Sequence, residues 1–289
     1  FILQPVSQYH LAIICGALLI IGLGTVDDLF NLSAKVKFIV QIVAALLVVF
    51  WGGLQVEFIN LPFGGQVEFG FLSSLITIFW IVGVTNAMNL IDGLDGLAAG
   101  VSSIALLTIA GMAIIKGDVY VTTMAFILFF STVGFLPFNF YPAKIFMGDT
   151  GALFLGYMIS VLALLGFKNV TIISFIIPIF ILAVPISDTL IAMVRRYINK
   201  QPMSSPDSSH LHHRLVQLGL SHKQSVIFIY ILSGMFSIAA FLFSMTTVWG
   251  SIFILVISLL ALQMLIETLG LINQDYKPLT NFFKGLRDR

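Results

Sequence analysis

Charge is what this chain has least of. Lys, Arg, Asp and Glu together make up 9% of its 289 residues, whereas 59% are hydrophobic. A soluble domain carries roughly 25% charged residues, so an ordinary water-facing globule is excluded. There is one cysteine, Cys15, inside an apolar run, which excludes a disulfide framework and a cysteine-based zinc site. The formal net charge of +1 offers no basic surface for a nucleic acid, and no such partner is expected. No secretory signal is visible, and the chain opens on "FILQPVSQYH" without an initiator methionine. Residues 1–289 therefore read as a single integral membrane domain that lacks its N-terminal segment.

What the chain has instead is long apolar runs. A membrane helix needs about 20 mostly apolar residues. Nine segments qualify: 11–26, 35–52, 73–90, 97–116, 119–137, 151–166, 170–194, 225–244 and 250–270. Pro178 and Pro185 predict a kink in the seventh. The expected fold class is an all-α polytopic membrane protein. Between the second and third spans, Val56, Phe58, Val67 and Phe69 alternate around "NLPFGG". This reads as a short β-hairpin within 55–69, with an irregular loop as the alternative.

Nine crossings assign each connection to a side. One side receives 27–35, 89–97, 138–151, 195–223 and the tail 273–289. Of the 14 Lys and Arg residues, only Lys116 and Lys168 fall on the other. The excess of positive charge marks the first side as cytoplasmic.

The acids follow the same division. Asp27, Asp28, Asp92, Asp95 and Asp149 lie at mouths of helices on that side, Asp188 lies inside the seventh span, and Asp207 lies in the large loop. Asp118 faces the other way. An Asp at a helix start is often only a cap, and Asp95 and Asp149 each fit that reading equally well. Asp27 and Asp28 follow their helix, at the negative end of its dipole, where carboxylates are disfavoured, so capping does not explain them. Several carboxylates this close to lipid require a cation or protons.

The surrounding residues narrow the cation. Glycines in "GLDGLAAG" and "MGDTG" leave room for close backbone approach to a ligand. Hard oxygen donors in small number fit Mg²⁺, held by one or two carboxylates and completed by substrate phosphates; Mn²⁺ would substitute. Asn86, Asn89, Asn139 and Thr150 add neutral hydrogen-bonding groups. Phe138, Phe140, Tyr141 and Phe146 offer aromatic faces for a nucleobase, or are interfacial aromatics. The loop "SPDSSHLHHRL" brings His210, His212, His213 and Arg214 together. Its spacing fits no zinc pattern. It suits an anionic group such as a diphosphate, or a solvated basic loop.

Four stretches, "GTVDDLFNLSAKVKFIVQ", "NAMNLIDGLDGLAAG", "FNFYPAKIFMGDTGALFLG" and "HLHHRL", occur in this order along the chain. Together they resemble the polyprenyl-phosphate N-acetylhexosamine-1-phosphate transferases, the glycosyltransferase 4 type. The resemblance implies a multi-pass plasma-membrane enzyme with a cytoplasmic active site, which moves a sugar phosphate from a UDP-sugar to a polyprenyl phosphate and releases UMP. It implies Mg²⁺ on Asp149, with Asp27 and Asp28 near the lipid phosphate and Asp27 as a debated base. It implies Asn89, Asp92 and Asp95 in the nucleotide site, Asn139 and Phe146 by the uridine, and His210, His212 and His213 on diphosphate or sugar. It leaves room for a homodimer.

Two points depart from the family pattern. The basic N-terminal segment is not in this chain, and Ser208 stands after Asp207 where the pattern has Lys or Arg; Arg214 would partly replace that contact. The muramoyl-pentapeptide branch carries three adjacent histidines, whereas this chain has His-Leu-His-His-Arg. That resembles the UDP-N-acetylglucosamine branch, which starts teichoic acid or another surface polysaccharide on undecaprenyl phosphate. The rival class is a cation or proton transporter, which would place acids near the midplane and open to both sides. A non-catalytic scaffold leaves the acidic clustering unexplained.

Overall fold

The apolar runs satisfy their own backbone hydrogen bonds, as lipid requires. They form helices throughout the computed structural model, which describes residues 8–60, 65–167, 172–202, 209–273 and 276–287. The helices in chain order are α1 (Gln8–Phe30), α2 (Ala34–Leu46, continued by a π turn over Leu47–Trp51), α3 (Leu72–Ile91), α4 (Leu97–Lys116), α5 (Val119–Asn139) and α6 (Gly148–Phe167). Then follow α7 (Ile172–Ile181), α8 (Ala183–Ile198), α9 (Leu211–Gln217), α10 (His222–Met245), α11 (Val248–Leu269) and α12 (Pro278–Arg287).

Eight of these, α1 to α6, α10 and α11, are long and apolar enough to cross a membrane. The protein is a multi-pass membrane protein. The expected seventh span, 170–194, is not one helix. It is the pair α7 and α8, broken at Leu182, whose φ of −104° and ψ of 22° lie outside the helical basin. Pro185 is the cause: it has no N–H for the Ile181 carbonyl, and its ring crowds that carbonyl. The chain recovers at once, with Leu182 N–H on Pro178 O and Ile186 N–H on Leu182 O, both at 3.0 Å. Counted as one crossing, the pair preserves the alternation of sides expected from the sequence.

The predicted hairpin is present. β1 (Phe58–Asn60) pairs antiparallel with β2 (Gln66–Glu68), with Phe58 opposite Glu68. Its tip, 61–64, lies outside the described residues, as do Lys168, Asp207 and Ser208.

The core is centred on α4 and α6, each with 67% of its apolar window buried, against 6% for α11. Helix α6 lies against α1 and α3. Tyr157 of α6 donates its hydroxyl to the Ile13 carbonyl at 3.1 Å. Further along the same crossing, Gly24 meets the start of α6 so closely that a Cβ there would lie 2.3 Å from Thr150 Cα. Small residues at crossings allow this approach in membranes. It brings the end of α1 to the beginning of α6.

One boundary differs from the sequence reading in a way that matters. The first helix continues to Phe30, so Asp27 and Asp28 ride on its last turn rather than in a loop. Asn31, at φ 51°, then ends it; Asn tolerates this left-handed position better than most residues. At the far end of the chain, buried Glu267 of α11 takes the Leu279 and Thr280 N–H groups at 2.7 and 2.9 Å and fastens the first turn of α12.

Gly24→Val should overpack the α1–α6 crossing, at a cost of at least about 1–3 kcal/mol. Gly22→Ala, where nothing lies within 4 Å, should be neutral or slightly stabilising. Thermal unfolding of both variants in detergent checks this; equal midpoints would contradict the close crossing.

Candidate active site

The close crossing of α1 and α6 sets the first half of the site. Asp27, 5% exposed, accepts the Leu32 N–H on Oδ1 and the Lys37 ammonium on Oδ2, both at 2.7 Å. The same ammonium reaches Asp149 Oδ2 at 2.9 Å. Asn89 of α3 donates to Asp149 Oδ1 at 3.0 Å. One lysine in the first turn of α2 thus ties the end of α1 to the start of α6.

Asp28 takes a different role from its neighbour. Its Oδ1 accepts the Asp149 N–H at 2.8 Å, and its Oδ2 accepts the Thr150 N–H at 3.1 Å and the Thr150 hydroxyl at 2.6 Å. It therefore caps α6, a helix other than its own, where a carboxylate is favoured by the dipole. The expectation that capping does not account for Asp28 is corrected: the cap is supplied across the fold. Asp149 does not cap α6. Its carboxylate is held by Lys37 and Asn89.

The second half comes from the α3–α4 and α5–α6 connections. Asp92 ends α3. Asp95 was read as a possible cap of α4, but Gly96 takes that position at φ 80°. Asp95 Oδ2 instead accepts the Ala143 N–H at 3.0 Å and pins the α5–α6 connection. Asn139, 3% exposed, donates to the Ile145 carbonyl at 2.9 Å. Its buried Oδ1 has no partner among the described residues. Phe146 is 74% exposed.

Asp28, Asp92, Asp95, Asn139, Phe146 and Asp149 line one cleft of about 340 Å³, which also borders Gly93. Burial, then the charges of Asp149, Asp28 and Asp95, push the Asp92 carboxyl up to about 7. The cleft is thus short of positive charge.

The histidine segment divides. His212, 2% exposed, fills the space that a side chain at Gly93 would take: a Cβ there would lie 2.2 Å from its Nε2. Gly93 makes room for the protein's own imidazole, which corrects the reading of that glycine as space for a ligand. Neither ring nitrogen of His212 has a partner among the described residues. Burial, and then His213, push its imidazole down to about 4, so it stands neutral. His213 is exposed, its ring 4.1 Å from that of His212.

His210 and Arg214 are engaged elsewhere. His210 pairs with Asp188 of α8. Arg214 donates to the Leu269 carbonyl at 2.7 Å and to Gln217 at 3.2 Å. The structure therefore brings together Asp27, Asp28, Asn89, Asp92, Asp95, Asn139, Phe146, Asp149 and His212, and binds Arg214 to the end of α11 instead. Lys37 is the residue that motif reading missed. It was counted for topology only, yet a basic residue one turn into an apolar span is itself a signal.

Among the described residues, no three His, Cys, Asp or Glu side chains converge on one metal position. The carboxylates of Asp149 and Asp92 nevertheless border a cleft deficient in cations. That donor set fits a hard divalent ion that takes one or two carboxylates and draws its other ligands from phosphate and water.

A bundle of membrane helices with a polar cleft at one end defines the class. The family model described as "Glycosyl transferase family 4" matches residues 10–167. The chain is 52% identical over 280 residues to a probable undecaprenyl-phosphate N-acetylglucosaminyl 1-phosphate transferase of Bacillus subtilis (strain 168), covering 96% of this chain and 78% of that protein. It is 36% identical over 252 residues to the decaprenyl-phosphate N-acetylglucosaminephosphotransferase of Mycolicibacterium smegmatis, covering 79% of this chain and 62% of that one. A phospho-N-acetylmuramoyl-pentapeptide-transferase of Listeria monocytogenes is 38% identical over 155 residues, half of this chain. The chain belongs to glycosyl transferase family 4. It is an enzyme of the phosphotransferase class.

Lys37→Met should leave buried Asp27 without its charged partner and cost about 1–3 kcal/mol. Lys35→Met, at an exposed position, should change little. Thermal melts of the two in one detergent check this, and equal effects would remove Lys37 from its bridging role.

Proposed function

We propose that this enzyme transfers N-acetylglucosamine 1-phosphate from UDP-N-acetylglucosamine to a polyprenyl phosphate, releasing UMP, with Mg²⁺ as cofactor. The lipid is undecaprenyl phosphate in a bacterium, and the product begins teichoic acid or another surface polysaccharide. The active site faces the cytoplasm across the plasma membrane. The observation that carries this reading is the cleft itself: Asp149, Asp92, Asn139 and Phe146, from separate segments, border one space at the end of the helices. The 52% identity to the Bacillus relative supports the donor and the carrier.

The chemistry asks little of a base. The acceptor phosphate is anionic near neutral pH, and its oxygen attacks the sugar-bearing phosphorus while UMP leaves. The obstacle is the approach of anions. Mg²⁺ held through Asp149 would neutralise the diphosphate and the leaving UMP. Lys37, oriented by Asp27, adds positive charge where the acceptor phosphate arrives. Asp27 already accepts from Lys37 and the Leu32 N–H, so holding Lys37 is its role, ahead of proton removal. Asn139 Oδ1, buried without a partner, suits an imide N–H such as that of uracil, with Phe146 beside the base. Neutral His212 donates one N–H and accepts at the other nitrogen, which suits sugar hydroxyls or diphosphate oxygens. Asp28 and Asp95 act as supports, through the α6 cap and the α5–α6 connection.

UMP release from defined UDP-sugars with polyprenyl phosphate tests the reaction in the whole protein. Asp149→Asn should lower it at least about a hundredfold, and near-normal turnover would refute the metal role. Asp92 gives a pH signature. Its carboxyl, raised to about 7, is largely protonated at pH 6, and a divalent cation in the cleft favours the ionised form. Mg²⁺ binding should therefore weaken from pH 8.5 to pH 6 and release a proton at pH 6 but not at 8.5. Calorimetry in buffers of different ionisation enthalpy measures this; Asp92→Asn should abolish the difference.

A further inference from the structure

Asp188 is a carboxylate within a crossing segment that the acidic cleft does not use. It is 5% exposed, and both its oxygens are occupied. Oδ2 lies 2.9 Å from His210 Nδ1, and Oδ1 accepts the Leu211 N–H at 2.8 Å. An ionised carboxylate only accepts, so His210 carries its proton on Nδ1 here. Both contacts fall at the start of α9, for which His210 is the N-cap residue.

Helix α9 has seven residues, too few to hold a helical shape alone. Its place must come from anchors. At one end is the Asp188 pair on α8. At the other, Arg214 is fixed to the Leu269 carbonyl of α11. Between them His212 enters the gap at Gly93, beside the cleft. The His210 and His212 rings lie parallel, 6.0 Å apart; the first meets Asp188 of α8 and the second meets the α3–α4 connection at Gly93. The Asp188 carboxylate also has a reason of its own to demand a partner, because an unpaired charge at this depth is costly.

We infer that Asp188 and His210 are a positioning pair. They fix α9 on α8 so that His212 is presented at the cleft, and His210 does not itself touch the substrate. The role assigned to His212 rests on the transfer reaction proposed above; the placement of α9 does not.

Asparagine and glutamine separate the possibilities, because they retain a donor near Nδ1 and near Nε2 respectively. The whole protein in detergent is read in two ways on each variant: hydrogen exchange of the α9 amides, and kinetics with UDP-N-acetylglucosamine and polyprenyl phosphate. His210→Asn should keep slow exchange and a donor KM within about threefold of the parent, whereas His210→Ala, His210→Gln and Asp188→Ala should speed exchange and raise donor KM about tenfold, the scale for losing a supporting hydrogen bond. The KM for the lipid acceptor should not change. Unaltered exchange in His210→Ala and Asp188→Ala would overturn the pair. So would a His210→Asn variant as impaired as His210→Ala beside an active His210→Gln, which would make Nε2 a substrate contact. Faster exchange with an unchanged donor KM would reduce the pair to a structural clamp and overturn the positioning role. If Asp188→Ala does not fold, the Asn and Gln variants decide. Exchange is read without turnover, so a parent protein that fails to use UDP-N-acetylglucosamine sinks the functional reading while the pair is still judged.

Discussion

Lys37 sets one ammonium between Asp27 and Asp149, 2.7 and 2.9 Å from their oxygens. Two carboxylates on neighbouring helices repel, and the cost of holding them together grows as water is withdrawn. The bridge converts that repulsion into a link among α1, α2 and α6. It depends in turn on Gly24, which lets α1 approach the first turn of α6. Together the two features bring these acids to one site. The remaining parts of the cleft are arranged around this junction: Asn89 reaches Asp149 from α3, and Asp92 stands at the end of the same helix.

The carboxylates of this protein divide their labour by how many donors each meets. Asp28 accepts three hydrogen bonds from the start of α6, and Asp27 accepts one from the Leu32 N–H and one from Lys37. Asp95 holds the α5–α6 connection at Ala143. Asp92 meets like charges instead, and its carboxyl holds its proton up to about 7. A structural carboxylate is one whose lone pairs are already taken. By that measure Asp92 is the acid whose chemistry is still available, while Asp149 faces the same cleft with Lys37 and Asn89 holding its oxygens.

Much of this was legible along the chain, because hydrophobic length and the sidedness of charge are one-dimensional signals. The spans, the hairpin and the gathering of acids at one end followed from them. The contacts did not, because they are made between segments far apart in sequence. Nothing local to Asp28 announces that it caps a helix 121 residues away. Nothing local to Gly93 announces that His212 occupies its place. The position of Lys37 on an apolar helix was visible, but its two partners come from other elements. The break at Leu182 was half legible: the prolines predicted a bend, while the loss of helical geometry depends on where the Pro185 ring meets the preceding turn.

The cap that Asp28 supplies to α6 also orders events in time. The free N–H groups at a helix start need an acceptor, and for α6 a carboxylate of α1 supplies it, so that start is completed only when α1 lies beside it. Chain growth runs from α1 to α6, and the carboxylate is therefore made before the helix that needs it. Glu267 and α12 repeat the arrangement at the other end of the chain. In both cases an earlier helix carries the terminus-binding group of a later one, so a correctly docked pair gains hydrogen bonds that a misplaced pair forgoes.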